Sequence, residues 1–129
     1  MKLVIIESPY KATTAEHLET NLAYARALCL DALWRGESPF CGHLQMTQFL
    51  DDLVPRERTL GIESTLAWTS TGATHIFGVD LGMSGGMAGA WERLVGQGVP
   101  CERRKLGPDW EALAGRNLRV PMWWPHGKG

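Results

Sequence analysis

The sequence has no excess of either charge: thirteen Lys and Arg stand against fourteen Asp and Glu, a formal charge of −1, with no long run of one sign. A chain without a basic face lacks the electrostatic footprint of a nucleic-acid or anionic-membrane binder, so the expected partner is small or uncharged overall. Cysteine is scarce, and Cys29, Cys41 and Cys101 stand at wide spacings without a C-x-x-C pair, beside four scattered histidines. These fit neither a disulfide framework nor a zinc site. The expectation is packed, reduced thiols in a cytoplasmic protein (the host cytoplasm if a phage encodes it), with no metal and no cofactor. Long hydrophobic runs are missing too. Leu3-Val4-Ile5-Ile6 runs straight into Glu7-Ser8-Pro9, too short for a signal-peptide core, and nothing approaches the ~18 apolar residues of a membrane span. Tyrosine and phenylalanine number only two and three, whereas six tryptophans and fifteen glycines are many for 129 residues.

What remains is one domain's worth of chain, long enough to bury a core without staples. Leu3 to Ile6 is rich in β-branched residues and has no polar alternation, as in a strand covered on both faces of a parallel sheet. From Thr13 to Arg35 the residues Leu18, Leu22, Ala25, Leu28, Cys29, Ala32 and Leu33 recur at helical spacing, with Thr13 or Thr14 as N-cap and Gly36 just past the end. Pro39-Phe40-Cys41 reads as a short second strand, followed by a loop from Gly42 to Asp52. Pro55 then opens a helix with Leu60, Ile62, Leu66 and Ala67 as its stripe and Asp52 or a neighbour as its cap.

Thr74 to Val79 reads as a buried strand ending at Asp80. Gly82 to Gly86 turn the chain into a helix that runs to about Val95 and stops at Gly96 and Gly98. Val99 to Lys105 is a last strand, charged enough to belong at a sheet edge. This alternation predicts an α/β fold of parallel strands joined by right-handed crossovers, occupying residues 1–107. Residues 108–129 form a Trp- and Pro-rich tail with one short helical segment at 109–114.

In such a sheet a ligand lies beyond the carboxyl ends of the strands. Two segments put polar groups there: Glu7-Ser8-Pro9-Tyr10, and Asp80-Leu81-Gly82-Met83-Ser84-Gly85-Gly86-Met87. The glycines admit close approach of backbone N–H groups, and the following helix offers its N-terminus to a phosphate or carboxylate. A tight turn that simply needs glycine is an equal reading of the spacing, since neither established phosphate-loop pattern is matched. His43 and Gln48 follow the short second strand, where either could hydrogen-bond a base or face water. Asn21 and Arg26 stand five apart on the long helix, so at most one looks into the crevice. Asp51-Asp52 suit a cap better than a sugar, and Arg56 and Arg58 suit solvent better than a phosphate. Trp34, Trp68 and Trp91 fall within helices and default to core or subunit packing. Trp110, Trp123 and Trp124 must fold back over the domain or meet a partner.

The segments E-S-P-Y, N-L-A-Y-A-R-A, R-G-E-S-P-F-C-G-H-L, L-D-D-L-V-P-R-E-R-T-L-G-I and D-L-G-M-S-G-G-M, in this order and spacing across residues 2–106, resemble the nucleoside 2-deoxyribosyltransferase-like superfamily, in particular its small phage and bacterial branch. The resemblance implies a flavodoxin- or Rossmann-like three-layer sandwich with a parallel sheet of four to five strands. It also implies a homodimer or higher oligomer and a pocket for a nucleoside or nucleoside monophosphate. In the active enzymes a Glu at the start of the helix after the D-x-G turn attacks C1′ of the sugar, and an Asp on or near the turn positions the sugar or base. Asp80 and Gly82 match that D-x-G, and Ser84, Gly86 and Met87 the turn.

The nucleophile does not carry over, because Met87-Ala88-Gly89 stands where the enzymes read M-E-x-G. Glu92 lies one turn further on, about 6 Å along the axis, whereas carboxylate attack needs contact at ~3–3.5 Å. Glu7 is the other carboxylate at the crevice and could serve as base, nucleophile or acceptor of a ribose hydroxyl. The favoured expectation is therefore a protein that binds a nucleoside- or nucleotide-derived molecule, for which sequestering a nucleotide signal in phage anti-defence is one use. The alternative is an N-glycosidic hydrolase or transferase with Glu7 or Glu92 as working carboxylate and Asp80 aligning the sugar. A third reading is an interaction module that docks through its Trp-rich tail.

Overall fold

The β-branched run near the N-terminus becomes the centre of a sheet in the computed structural model, which describes residues 1–114. Strands β1 (Lys2–Glu7), β2 (Glu37–Phe40), β3 (Thr74–Gly78) and β4 (Cys101–Arg104) are all parallel, in the order β2-β1-β3-β4. Between them run helices α1 (Ala15–Trp34), α2 (Gly42–Gln45), α3 (Pro55–Thr69) and α4 (Gly85–Gly96), and α5 (Trp110–Ala114) follows the last strand. Alternation along each strand divides the core into two layers. Val4, Ile6 and Ile76 pack against Tyr24, Ala25, Leu28 and Ala32 of α1 and against Trp110 of α5. On the other face Ile5 and Phe40 meet Met46, while Phe77 meets Met87 and Leu94 of α4. Helices thus cover both faces, and the fold is a three-layer, Rossmann-like α/β sandwich.

The helix signals act where the sequence places them. Thr14 caps α1 by accepting from His17 N at 3.0 Å, and Gly36 leaves the helix at φ +81°. Ser84 caps α4 by accepting from Met87 N at 3.2 Å. Three local expectations change. The stretch after β2 is helical rather than a loop, because Cys41 O accepts from Leu44 N and Gln45 N to start α2, which runs on into a 3-10 turn at Met46–Gln48. The cap of α3 is Val54, not Asp52. Asp51 instead closes the preceding turn by accepting from Leu53 N, and Pro55 at the first helical position has no N–H to satisfy. Finally, β2 begins at Glu37, two residues before Pro39, and β4 is shorter than Val99 to Lys105.

The three cysteines are free. Cys29 and Cys41 meet in the α1 layer, where a thiol–thiol hydrogen bond, together with burial, pushes the Cys29 thiol up and keeps it protonated. Trp68 stacks on Phe40 with ring centroids 4.9 Å apart, and Trp91 stands edge-on to Phe77 while carrying the Arg103 guanidinium on its ring. Trp110 folds back and stands edge-on to Tyr24 at 5.0 Å, so the beginning of the tail is built into the core. Trp123 and Trp124 lie outside the described residues.

Gly78, the last residue of β3, lies against α1, and a Cβ there would overlap both Leu28 methyls and the Tyr24 hydroxyl. That hydroxyl is fixed by hydrogen bonds to Asp80 and cannot retreat. Gly78→Ala is expected to cost about 1–3 kcal/mol by overpacking. Urea unfolding measures it, and a variant as stable as the parent would show that β3 and α1 are free to separate.

Candidate functional site

The strand order has a physical consequence. From β1 the chain crosses through α1 to β2 on one side, and it returns through α3 to β3 on the other. The loops after β1 and β3 therefore diverge at the β1/β3 switch point, the place at which sheets of this order bind ligands, and it is taken as the candidate crevice. Glu7 and Ser8 come to it from β1, His43 from α2 beyond β2, and Asp80 to Ser84 from the loop after β3.

Glu7 is half-buried at the end of β1 and binds His75, with Oε1 at 2.9 Å from Nδ1. His75 is buried, and its Nε2 lies 3.0 Å from Thr69 Oγ1 of α3. The Thr69 hydroxyl also lies 3.1 Å from Thr65 O of its own helix. Glu7 and His75 form a hydrogen-bonded dyad whose position is set from α3. Among the described residues only Oε1 of Glu7 is hydrogen-bonded, which leaves Oε2 for a ligand.

Beside the dyad, Ser8 Oγ stands 3.5 Å from His43 Nδ1, and the His43 ring lies against Tyr10 with centroids 4.9 Å apart. Burial pushes His43 below its ordinary value despite the opposing carboxylates of Glu7 and Asp52. It is therefore a neutral ring at pH 7, suited to hydrogen bonding or stacking rather than to holding an anion. Pro9 and Tyr10 are half-buried in the β1–α1 loop. Asn21 is buried beneath that loop and donates to Tyr10 O at 3.2 Å and Lys11 O at 3.3 Å. It shapes the crevice wall from behind, with its amide spent on the backbone, while Arg26 faces solvent.

Asp80 is engaged on all sides. Oδ1 accepts from the Tyr24 hydroxyl at 2.5 Å and from Leu106 N at 2.9 Å, and Oδ2 accepts from Gly107 N at 2.8 Å. Asp80 N in turn donates to Tyr24 Oη at 2.8 Å. Burial raises the carboxyl, but Leu106 N–H, the Tyr24 hydroxyl and Gly107 N–H outweigh it and hold Asp80 below its ordinary value. The Tyr24 phenol is pushed up by burial and by the Asp80 carboxylate. These bonds tie the chain after β4 to the crevice floor, so Asp80 meets a ligand only through groups already fixed around it.

In the loop after Asp80, Gly82 adopts φ +87° and closes a turn by donating to Val79 O. Met83 is half-buried, Ser84 is spent on its cap, and Gly85 and Gly86 are exposed with open space above their Cα atoms. Their N–H groups head α4 and point out of the fold, as unpaired N-terminal donors do. Met87 is core rather than crevice, since it packs on Phe77 and Leu94. Gln48 is exposed in the 3-10 turn, and Glu92 is exposed more than a turn into α4, away from its N-terminus.

The structure thus brings Ser8 and Tyr10 to His43 and Glu7 to His75 at the end of β1, sets the turn at Gly82 to Gly86 beyond the end of neighbouring β3, and turns Asn21 to the backbone of the β1–α1 loop and Met87 into the core. Sequence reading missed His75 and Tyr24. The signal for His75 was present: an imidazole inside an otherwise apolar strand must find a buried partner. The β1–β3 register then decided that the partner is Glu7. Among the described residues no three His, Cys, Asp or Glu side chains gather as metal ligands would, and no helix is long and apolar enough to cross a membrane.

A family model described as a domain of unknown function (DUF7768) matches residues 2–104, which span all four strands. No curated protein and no solved structure matches the chain.

Proposed function

The chain belongs to the family defined by that domain of unknown function (DUF7768), and from its crevice we propose that it binds a nucleoside- or nucleotide-derived small molecule. The observation that carries this reading is Glu7: a carboxylate held by a buried histidine at the β1/β3 switch point, with one oxygen left to accept from a ribose-type hydroxyl. Two neighbours support it. The Tyr10 and His43 rings supply a neutral aromatic surface for a base. The exposed N–H groups of Gly85 and Gly86 at the head of α4 favour a phosphate, with no basic side chain required. Sequestration of a nucleotide signal in the cytoplasm, as the phage and bacterial resemblance implies, needs this binding alone and fits Ala88 at the position of the enzymes' nucleophile.

Isothermal titration against nucleosides, nucleoside monophosphates and ADP-ribose derivatives tests the reading. At least one class binds, and Glu7→Gln weakens it by roughly 10–100-fold, the worth of one charge-assisted hydrogen bond. Titrations that are flat for every class remove the proposal.

The Glu7–His75 hydrogen bond favours a second reading, N-glycosidic cleavage, because a carboxylate oriented by a buried histidine at the strand ends has the geometry that general acid–base catalysis needs. Release of free base by the purified protein, reduced ~10²–10³-fold in Glu7→Gln, would favour this reading. Absence of release alongside tight binding leaves the first.

A further inference from the structure

We propose that Cys29 and Cys41 form a redox-active dithiol, closed to a disulfide by hydrogen peroxide, and that its closure disturbs the His43 side of the crevice. Cys29 lies on α1 and Cys41 directly follows β2, and both belong to the core layer between α1 and the sheet. Their thiols are hydrogen-bonded to each other. Sulfurs in such contact close by only roughly 1.5–2 Å to reach the ~2.05 Å of a disulfide. Cys29 is half-buried, which gives a small oxidant a way in, while Cys41 is buried. Cys101 takes no part, because it packs in the α4 layer on the other face of the sheet.

The surroundings divide the roles. The S–H of Cys29 donates to Cys41 and, with the N–H groups of His43 and Leu44, holds the Cys41 thiol below its ordinary value against the opposing effect of burial. The same hydrogen bond, together with burial, pushes the Cys29 thiol up. Cys41 is thus the thiolate and Cys29 the resolving thiol. The Cys41 thiolate, its proton given to solvent, attacks one peroxide oxygen; the O–O bond breaks, hydroxide leaves and is protonated to water, and Cys41 becomes a sulfenic acid. The Cys29 sulfur then attacks the Cys41 sulfur. An S–S bond forms, the S–O bond breaks, and the Cys29 proton leaves with the hydroxide as a second water. The two thiols lose two electrons, and the peroxide takes them.

Cys41 is also the residue from which α2 starts, since its carbonyl accepts from Leu44 N and Gln45 N. His43 stands two residues on, 3.5 Å from Ser8 Oγ and against the Tyr10 ring. An S–S bond draws Cys41 toward α1, α2 follows, and His43 leaves Tyr10. Glu7 and His75 are held from α3 and do not depend on Cys41. For the binding function proposed above, on which this last step rests, the oxidised form keeps its carboxylate and loses its aromatic surface.

Peroxide treatment of the full chain, followed by trypsin without reductant, tests the dithiol. The expected product joins residues 27–35 to residues 36–56, the intact mass falls by two hydrogens, and dithiothreitol reverses both. Cys101→Ser closes the same link, and Cys29→Ala, checked for folding by circular dichroism, closes none. Separate peptides, added oxygen in place of the link, or a link made chiefly to Cys101 overturn the proposal. Proton NMR of the His43 ring reads the coupling without any ligand: its resonances shift on oxidation of the parent and stay in place in Cys29→Ala. Resonances that do not move in the linked parent overturn the coupling. Titration of both forms with nucleosides, nucleoside monophosphates and ADP-ribose derivatives is expected to show a roughly 10–100-fold weaker affinity after oxidation, the worth of a base stacked on a ring; equal affinity overturns the effect on binding. If no class binds even the reduced protein, the binding proposal fails, while the link and the His43 resonances still decide the dithiol.

Discussion

Asp80→Asn lowers the free energy of unfolding by about 3–4 kcal/mol at pH 7, a large part of the ~5–15 kcal/mol that hold a domain of this size. The carboxylate accepts from Leu106 N, Gly107 N and the Tyr24 hydroxyl. An amide keeps one acceptor oxygen for Tyr24 and Leu106 but turns an N–H₂ toward Gly107 N, so that buried donor loses its acceptor and faces another donor, and the negative charge that all three donors share is gone. The effect depends on pH with a definite sign. Asp80 is held below its ordinary value in the folded state, so its stabilisation is complete above the ordinary carboxylate range, around pH 5 and higher. It is lost as pH falls through the folded-state value. Urea unfolding of parent and variant at pH 7 and pH 3 measures both parts: the gap is wide at pH 7 and narrows at pH 3. An equal gap at both would mean that the carboxylate's charge is not what the loop after β4 requires.

Arg104→Met is the second large effect, at about 3–5 kcal/mol. Arg104 lies on edge strand β4 and Glu37 on the opposite edge strand β2, yet Nη1 meets Glu37 Oε1 at 2.6 Å and Nη2 meets Oε2 at 3.0 Å, with Glu102 at 2.7 Å from Nη2. The Arg104 guanidinium holds the Glu37 carboxyl below its ordinary value, with burial opposing. Removing the arginine strands a carboxylate whose side chain is only 10% exposed. Removing both charges does not, so Arg104→Met with Glu37→Met recovers most of the loss. Denaturant unfolding of the two single variants and the double closes the cycle. A double variant as unstable as Arg104→Met would locate the cost in Glu102 or in packing instead of in the stranded carboxylate.

The same two residues show how far a linear reading reaches. Asp80 was legible as the polar end of a buried strand and, through the D-x-G resemblance, as a site residue. Its partners Leu106, Gly107 and Tyr24 stand 26, 27 and 56 positions away and carry no pattern that announces them. Arg104 was legible only as one of the charges of an edge strand, and nothing in the sequence around Glu37 marks it as the partner. The order of the sheet, with no pairing between their own strands, brings these side chains 67 positions apart together as one buried pair. Trp110 was legible only as a large apolar side chain in need of cover, and the fold supplies Tyr24. The four-residue α2 escaped detection because a single turn carries no periodicity; its start depends on the Cys41 carbonyl being free to accept at the end of β2.

Local chemistry determined the presence of the strands and the long helices, and the ends of α1 and the start of α4, from the sequence alone. The β-branched run at Leu3 to Ile6, the 3.6-residue recurrence along α1, the hydroxyl caps Thr14 and Ser84 and the glycine exits are short-range preferences, each complete within a few residues. The alternation of these elements was enough for a parallel α/β sandwich, and the positions of Glu7 and Asp80 for a crevice at the strand ends. The tertiary structure alone decided which candidates are available there. It gave Glu7 a buried histidine and an open oxygen, enclosed Asp80 in donors, and turned Asn21 and Met87 away from the crevice. The reason is that a buried polar group must be satisfied by whatever the register brings beside it, and register is a property of paired strands that no single segment of the chain contains.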